Sequence, residues 1–298
     1  MVSSGWFSLA AMIMAYRVAN LLQSRAATRT TMHHTFDPGL LLRLAGQRCY
    51  LAGIGCQTLG FVFAFLARRD LPLFLVQASV AAGLGVTALL GVIVLKWSLP
   101  AAELVLLALL LAGIGALVLS AQPAHSRRVG AGMVVALAVS VLVIAGLGYF
   151  SVRLRGALGS VVLGSLAGID FSAAAIAARP LTNTHTVTGF LTNPLLYLVL
   201  VHSLVGQLLL GLAMQRGSTT AAVAAMDAAG AVPAAIVGLV VLGDRIEPGL
   251  GWLAALGFVV TLGAVIGLTR YAEPQHHHAT LPAARRPDPR LRTATTGR

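Results

Sequence analysis

The sequence predicts an all-α polytopic membrane protein: nine transmembrane helices with two inverted four-helix repeats around a linking helix. Three observations predict it. Of 298 residues, 57% are hydrophobic and only 10% charged, with a mean hydropathy of +0.86, which leaves too little polar surface for a water-soluble fold of this size. The apolar residues gather in nine runs, each near the roughly 20 residues a helix needs to cross the hydrocarbon core. The breaks between runs recur in the same order in the two halves of the chain. Lipid admits only helices or closed barrels, because every backbone polar group must be satisfied internally. Runs of this length without period-two alternation read as helices.

The first run, 5–23, lacks the basic leading segment of a secretory signal and is followed by Gln23, Ser24 and Arg25, so it is expected to remain as a span. After a polar segment, the second run covers 46–67 and carries Cys49 and Cys56, which have no CxxC spacing and are expected to be buried or interfacial thiols. Arg68, Arg69, Asp70 and Pro72 divide it from the third run, 71–95, which ends at Lys96, Trp97 and Pro100. The fourth run, 100–120, stops at a segment holding Pro123, His125, Arg127 and Arg128. The fifth, 130–150, stops before Arg153 and Arg155. The sixth, 157–178, precedes the polar stretch 179–187, and the seventh, 189–213, precedes Gln215, Arg216 and Gly217. The eighth, 219–242, contains Pro233, which frees a carbonyl and permits a kink. Gly243, Asp244, Arg245, Glu247 and Pro248 lead into the ninth, 251–269.

These runs divide the chain into a membrane domain, 1–270, with a first repeat at 1–120, a linking helix at 130–150 and a second repeat at 157–270. Residues 271–298, rich in Pro and Arg and without apolar periodicity, read as a disordered basic cytoplasmic tail. Its His276, His277 and His278 lack an ordering scaffold for a metal. The formal net charge of +12 is spread over short breaks and the tail, which points to anionic headgroups and argues against nucleic acid. The segments 24–45, 96–99, 151–156, 214–218 and the tail hold most of the Lys and Arg residues. The positive-inside rule therefore predicts a multi-pass protein of the cell membrane, an inner membrane in a cell that has two, with the N-terminus outside and the C-terminus cytoplasmic.

The halves also align directly. Residues 66–69, Leu-Ala-Arg-Arg, lie against 213–216, Ala-Met-Gln-Arg, and 88–95 against 235–242; after a small shift 112–115 lies against 262–265. A linking span between two four-helix units reverses the second unit. Inverted units of this kind supply two pseudo-equivalent arrangements around a central site, as alternating access requires.

With those segments in view, the chain resembles the drug/metabolite transporter superfamily, in its EamA-like group. The resemblance rests on 22–27, Leu-Gln-Ser-Arg-Ala-Ala; on 67–72, Ala-Arg-Arg-Asp-Leu-Pro; and on 213–218, Ala-Met-Gln-Arg-Gly-Ser. It rests further on 232–238, Val-Pro-Ala-Ala-Ile-Val-Gly, on 242–246, Leu-Gly-Asp-Arg-Ile, and on Trp252 through Gly263. The chain departs from the ten-helix family pattern: the second helix of the first unit is replaced by a polar loop, and Lys96 and Trp97 stand where glycine and glutamate are frequent. In this it is similar to a nine-helix branch of predicted magnesium transporters. The resemblance implies a secondary transporter or exporter of a small organic solute, proton coupling being one option, with a magnesium or other divalent-cation transporter as the alternative and a nontransport membrane-interaction protein as the third reading.

Ionisable groups deep in a span normally face the bundle interior or a wet cavity. Arg17, Asp170, His202 and Asp227 are so placed. Aligning the first run with the sixth sets Arg17 on Asp170, so these opposite charges are expected to pair across the central axis, as a gating or substrate-competing ion pair or as a purely structural one. Arg17 has the further option of snorkelling to the headgroups. His202 titrates near neutral pH in water and suits proton transfer, or simply bonds across helices. Asp227, among small neighbours, is a candidate for binding a cationic group or carrying a proton, against a satisfied interhelical hydrogen bond. Gln77, with Thr87, Asn193, Asn20 and Gln23, is a candidate for lining a path or bridging helices. No Ser-His-Asp set, HExxH motif, phosphate loop or carboxylate pair occurs at useful spacing, so no enzyme, catalytic residue, cofactor or metal site is expected. The expected partners are the bilayer and a small-molecule or ion substrate; a homodimer is left open.

Overall fold

The computed structural model describes residues 2–27, 46–83, 101–122, 126–127, 129–184, 186–216 and 219–279. In chain order these form α1 (Val2–Ala27), α2 (Arg48–Asp70), α3 (Leu73–Gly83), α4 (Ala101–Ser120), β1 (Ala121–Gln122), α5 (Ala131–Ser151) and α6 (Gly156–Leu181). They continue with α7 (Val187–Leu191), α8 (Pro194–Arg216), α9 (Thr219–Val237), a π-turn (Gly238–Leu242), β2 (Arg245–Ile246) and α10 (Gly251–Ala279). Six helices, Ser4–Gln23, Arg48–Asp70, Ala131–Ser151, Gly156–Leu181, Pro194–Arg216 and Ala221–Leu242, are long and apolar enough to cross a membrane. Three shorter apolar helices, Leu73–Gly83, Leu104–Ser120 and Gly251–Gly267, stand beside them. The chain is a multi-pass, helical membrane protein.

Several boundaries differ from the sequence reading. The seventh run is broken: Asn193 Oδ1 accepts a hydrogen bond from the Leu195 amide at 3.0 Å and Pro194 takes the first helical position, so α8 starts at the proline and a separate short helix, α7, precedes it. The third run begins at Leu73, because Leu71 caps α2 in extended conformation; its part beyond Gly83, with Thr87, lies outside the described residues. α10 continues to Ala279, past the expected boundary at 270, and 280–298 lie outside the described residues. The all-helical expectation misses one small feature, an antiparallel bridge between β1 and β2 that pairs Ala121 with Ile246 and Gln122 with Arg245. Cys49 is exposed on α2 and Cys56 half-buried, so of the two placements expected, buried or interfacial, the buried one does not hold for Cys49.

Helices in lipid gain no hydrophobic driving force from one another, so close packing has to hold them together. Small residues make that possible here. α1 and α2 run antiparallel: a Cβ on Gly53 would stand 2.8 Å from Gln23 Cγ, and one on Gly60 would stand 2.7 Å from the Tyr16 ring. α6 meets α9 backbone to backbone, Gly164 against the Ala222 carbonyl, Gly168 against the Met226 carbonyl, and Gly230 against Gly168. α4 and α10 meet in the same way at Gly113 and Gly257. α5 buries only Leu137, Ile144 and Gly148, spaced as one helical stripe. Its other faces expose Val135, Val139, Leu142, Val143 and Leu147, an apolar surface suited to acyl chains.

A side chain at Gly168 has no room, since its Cβ would overlap the Met226 carbonyl, which is rigid backbone. Gly168→Val is expected to destabilise the protein by about 3 kcal/mol or more. Gly115→Ala, where a Cβ meets open space, is expected to leave stability unchanged. Thermal unfolding of the two variants in detergent checks both.

Candidate functional site

α1, α2 and α3 from the first half and α6, α8 and α9 from the second enclose a cavity of 340 Å³. Its wall is mostly apolar, with Phe61, Val80, Phe171, Leu200 and Leu204, and is interrupted by Asn20, Gln57, Gln77, Ser203, Asp227 and Arg68. Helical phase explains why α2 contributes so much: Ile54, Gln57, Phe61 and Arg68 are spaced by three, four and seven residues, which keeps them on one face.

Asp227 comes to the cavity from α9, where the packing of Met226 and Gly230 on α6 fixes its helix. Its Oδ2 accepts a hydrogen bond from Arg17 Nη2 at 2.7 Å, and the same nitrogen donates to the Val80 carbonyl of α3. Gly83 gives the guanidinium its space, because a Cβ there would collide with it. The pair thus joins α1, α3 and α9 with the two side chains 10% and 1% exposed. Pairing offsets the cost of placing two charges at this depth.

The expected Arg17 to Asp170 pairing does not occur. Asp170 turns to the opposite side of the second half, where its Oδ1 meets Nδ1 of His202 on α8 with both side chains 0% exposed. The other ring nitrogen of His202 lies 3.1 Å from the Leu137 carbonyl and 3.5 Å from Ser140 Oγ on α5. A carbonyl only accepts, so that nitrogen carries a proton. A second proton then sits between the imidazole and the carboxylate, which leaves the pair net neutral whichever atom holds it. Neither residue lines the cavity. Positions that align between the two halves touch only if both side chains face the same place; Arg17 faces α3 and α9, whereas Asp170 faces α5 and α8.

Of the remaining candidates, Gln77 and Asn20 line the cavity. Gln23 lies behind the wall and joins α1 to α2 and α8: it donates to Gln57 Oε1 at 2.5 Å and accepts from Gln207 at 2.9 Å, and Gln207 also donates to the Tyr50 hydroxyl at 3.1 Å. Asn193 is a helix cap. Four residues that read as loop charges are in fact buried, among them Arg216, which donates to the Val152 and Leu154 carbonyls. Arg179 donates to Asp244 Oδ1 at 3.0 Å, Asp244 Oδ2 accepts from the Leu73 amide at 2.5 Å, and Gly243, at φ 82°, turns the chain so that the Asp244 amide reaches the Gly238 carbonyl. Arg68, 2% exposed, is the fourth. A break signal in the sequence hid it, although its phase with Phe61 and Gln57 placed it on the inner face.

Removing one member of the Arg17 to Asp227 pair strands the other charge. Arg17→Leu and Asp227→Leu are each expected to destabilise the protein by about 3–5 kcal/mol, and the double variant by much less than their sum. A double-mutant cycle on unfolding in detergent measures this. Set beside known proteins, the chain matches no family model, no curated protein and no solved structure.

Proposed function

We propose that the chain is a secondary transporter for a small organic solute, working by alternating access between two inverted units, α1 to α4 and α6 to α10, with α5 as the link. The nine-span arrangement, the N-terminus outside and the kinship with the EamA-like drug/metabolite transporters all belong to this reading. One observation carries it: the cavity is walled by three helices from each half and has Asp227 on its wall, paired with Arg17 behind it. Sites in inverted-repeat transporters lie at such an interface. A moving ion pair suits the mechanism, since a solute or proton that takes over one partner changes which helices the pair ties together. The divalent-cation alternative gains less support, because the carboxylate on the wall is already neutralised by Arg17 and Arg68 adds positive charge beside it.

Counterflow in proteoliposomes, with a panel of organic solutes and divalent cations, tests the reading; saturable flux of an organic solute is expected. Ser203→Trp fills the cavity and is expected to abolish that flux with the fold retained. Asp170→Asn, away from the cavity, is expected to retain it per folded molecule. Where a pH gradient drives accumulation, Asp227→Asn is expected to abolish the gradient dependence. Absence of flux for every solute, from folded protein, would favour a nontransport membrane role.

A further inference from the structure

We propose that Arg68 receives the anionic head of the solute, so that the cavity takes a small organic anion with a compact apolar body. The proposal rests on the transporter reading above and gives it a substrate class. Arg68 lies in the last turn of α2, on the cavity wall and 2% exposed. Its Nη2 donates to Gln77 Oε1 at 3.4 Å and its guanidinium lies 5.9 Å from the Phe61 ring centroid, while Nε and Nη1 have no hydrogen-bond partner.

The nearby carboxylates are engaged elsewhere. Asp227 is held by Arg17, Asp244 by Arg179 and Asp170 by His202. Asp70, two residues along α2, accepts from Ser4 at 3.4 Å. No carboxylate pairs with Arg68 among the described residues. With Arg17 and Asp227 cancelling, the cavity carries one surplus positive charge, and a buried cation without a counter-ion is costly until an anion arrives. A guanidinium answers that need better than an ammonium would, because its planar set of N–H groups matches the oxygens of a carboxylate, sulfonate or phosphate. Gln77 orients it from α3. The rest of the wall, with Phe61, Phe171 and Leu200, suits an apolar body, and the volume of 340 Å³ restricts that body to a small one.

The test uses the full chain in detergent, with sodium benzenesulfonate, benzyltrimethylammonium chloride and benzyl alcohol as probes of one shape and three charges, at matched ionic strength. Benzenesulfonate is expected to raise the melting temperature saturably, and the other two are not. Arg68→Gln is expected to weaken the sulfonate response on the order of 30-fold, as loss of one partner of a buried charged contact does. Arg68→Lys, which keeps the charge and loses the planar fork, is expected to fall between; if Arg68→Gln does not fold, this variant decides, and an unchanged affinity in it overturns the proposal. Stabilisation by the ammonium instead, by none of the three, or by sulfonate equally in wild type and Arg68→Gln also overturns it. Counterflow with the same probes separates the two layers: flux of the ammonium alone keeps the transporter and removes the anion site, whereas saturable sulfonate binding without flux keeps the site and removes the transporter.

Discussion

A guanidinium and a carboxylate withdrawn from water have to neutralise each other, and the arrangement of this bundle follows from where that happens. Arg17 ties α1 to Asp227 on α9 and to the backbone of α3, so three helices from opposite ends of the sequence share one electrostatic knot. Each ion alone would cost several kcal/mol, and because Arg17 Nε and Nη1 have no hydrogen-bond partner, recovery of that cost requires good geometry at the Asp227 and Val80 contacts. That requirement makes other positions intelligible. Gly83 has to be small for the guanidinium to fit, and α9 has to sit at one depth for Asp227 to reach it.

That depth is set by packing. Ala222, Met226 and Gly230 on α9 recur every four residues and meet Gly164 and Gly168 on α6, so the two backbones touch and lock one register. A shift by one turn would drive a side chain into a carbonyl and carry Asp227 away from Arg17. Electrostatics and packing therefore specify the same register, and agreement between independent requirements is what singles out one structure.

Much of this was legible in the sequence, and the rest was hidden for identifiable reasons. Span positions follow from the length of apolar runs, which is why the predicted ranges of the five long helices after the first break, such as 130–150 and 219–242, lie so near the helices found. That Arg17, Asp170, His202 and Asp227 would be buried followed from their depth. Which would pair did not, because pairing depends on how each helix is rotated and which neighbour it chooses; Asp170 meets His202 through a rotation that alignment of the two halves does not encode. Arg68, Arg179 and Asp244 were read as loop charges because charge and proline ordinarily mark a break. In Arg68 the periodicity of α2 held the correction. For Arg179 and Asp244 nothing local held it, since their partners come together only when α6, the start of α3 and the turn after α9 converge.

Two polar clusters of different chemistry flank the cavity. Beyond Arg68, the pairing of Arg179 with Asp244, reinforced by the Leu73 amide and by the adjoining bridge between β1 and β2, ties α3, α6 and the chain after α9 with charged hydrogen bonds. In the other cluster Gln23, Gln57, Gln207 and Tyr50 join α1, α2 and α8 through neutral groups. Parting neutral amides exchanges their bonds for bonds to entering water, at a net of about 1 kcal/mol each. Parting a buried ion pair loses its attraction but returns hydration to both charges, so its net cost depends on whether water reaches them. What holds the charged cluster is therefore the exclusion of water around Arg179 and Asp244, 1% and 0% exposed, whereas the amide cluster can exchange partners with water at little net cost.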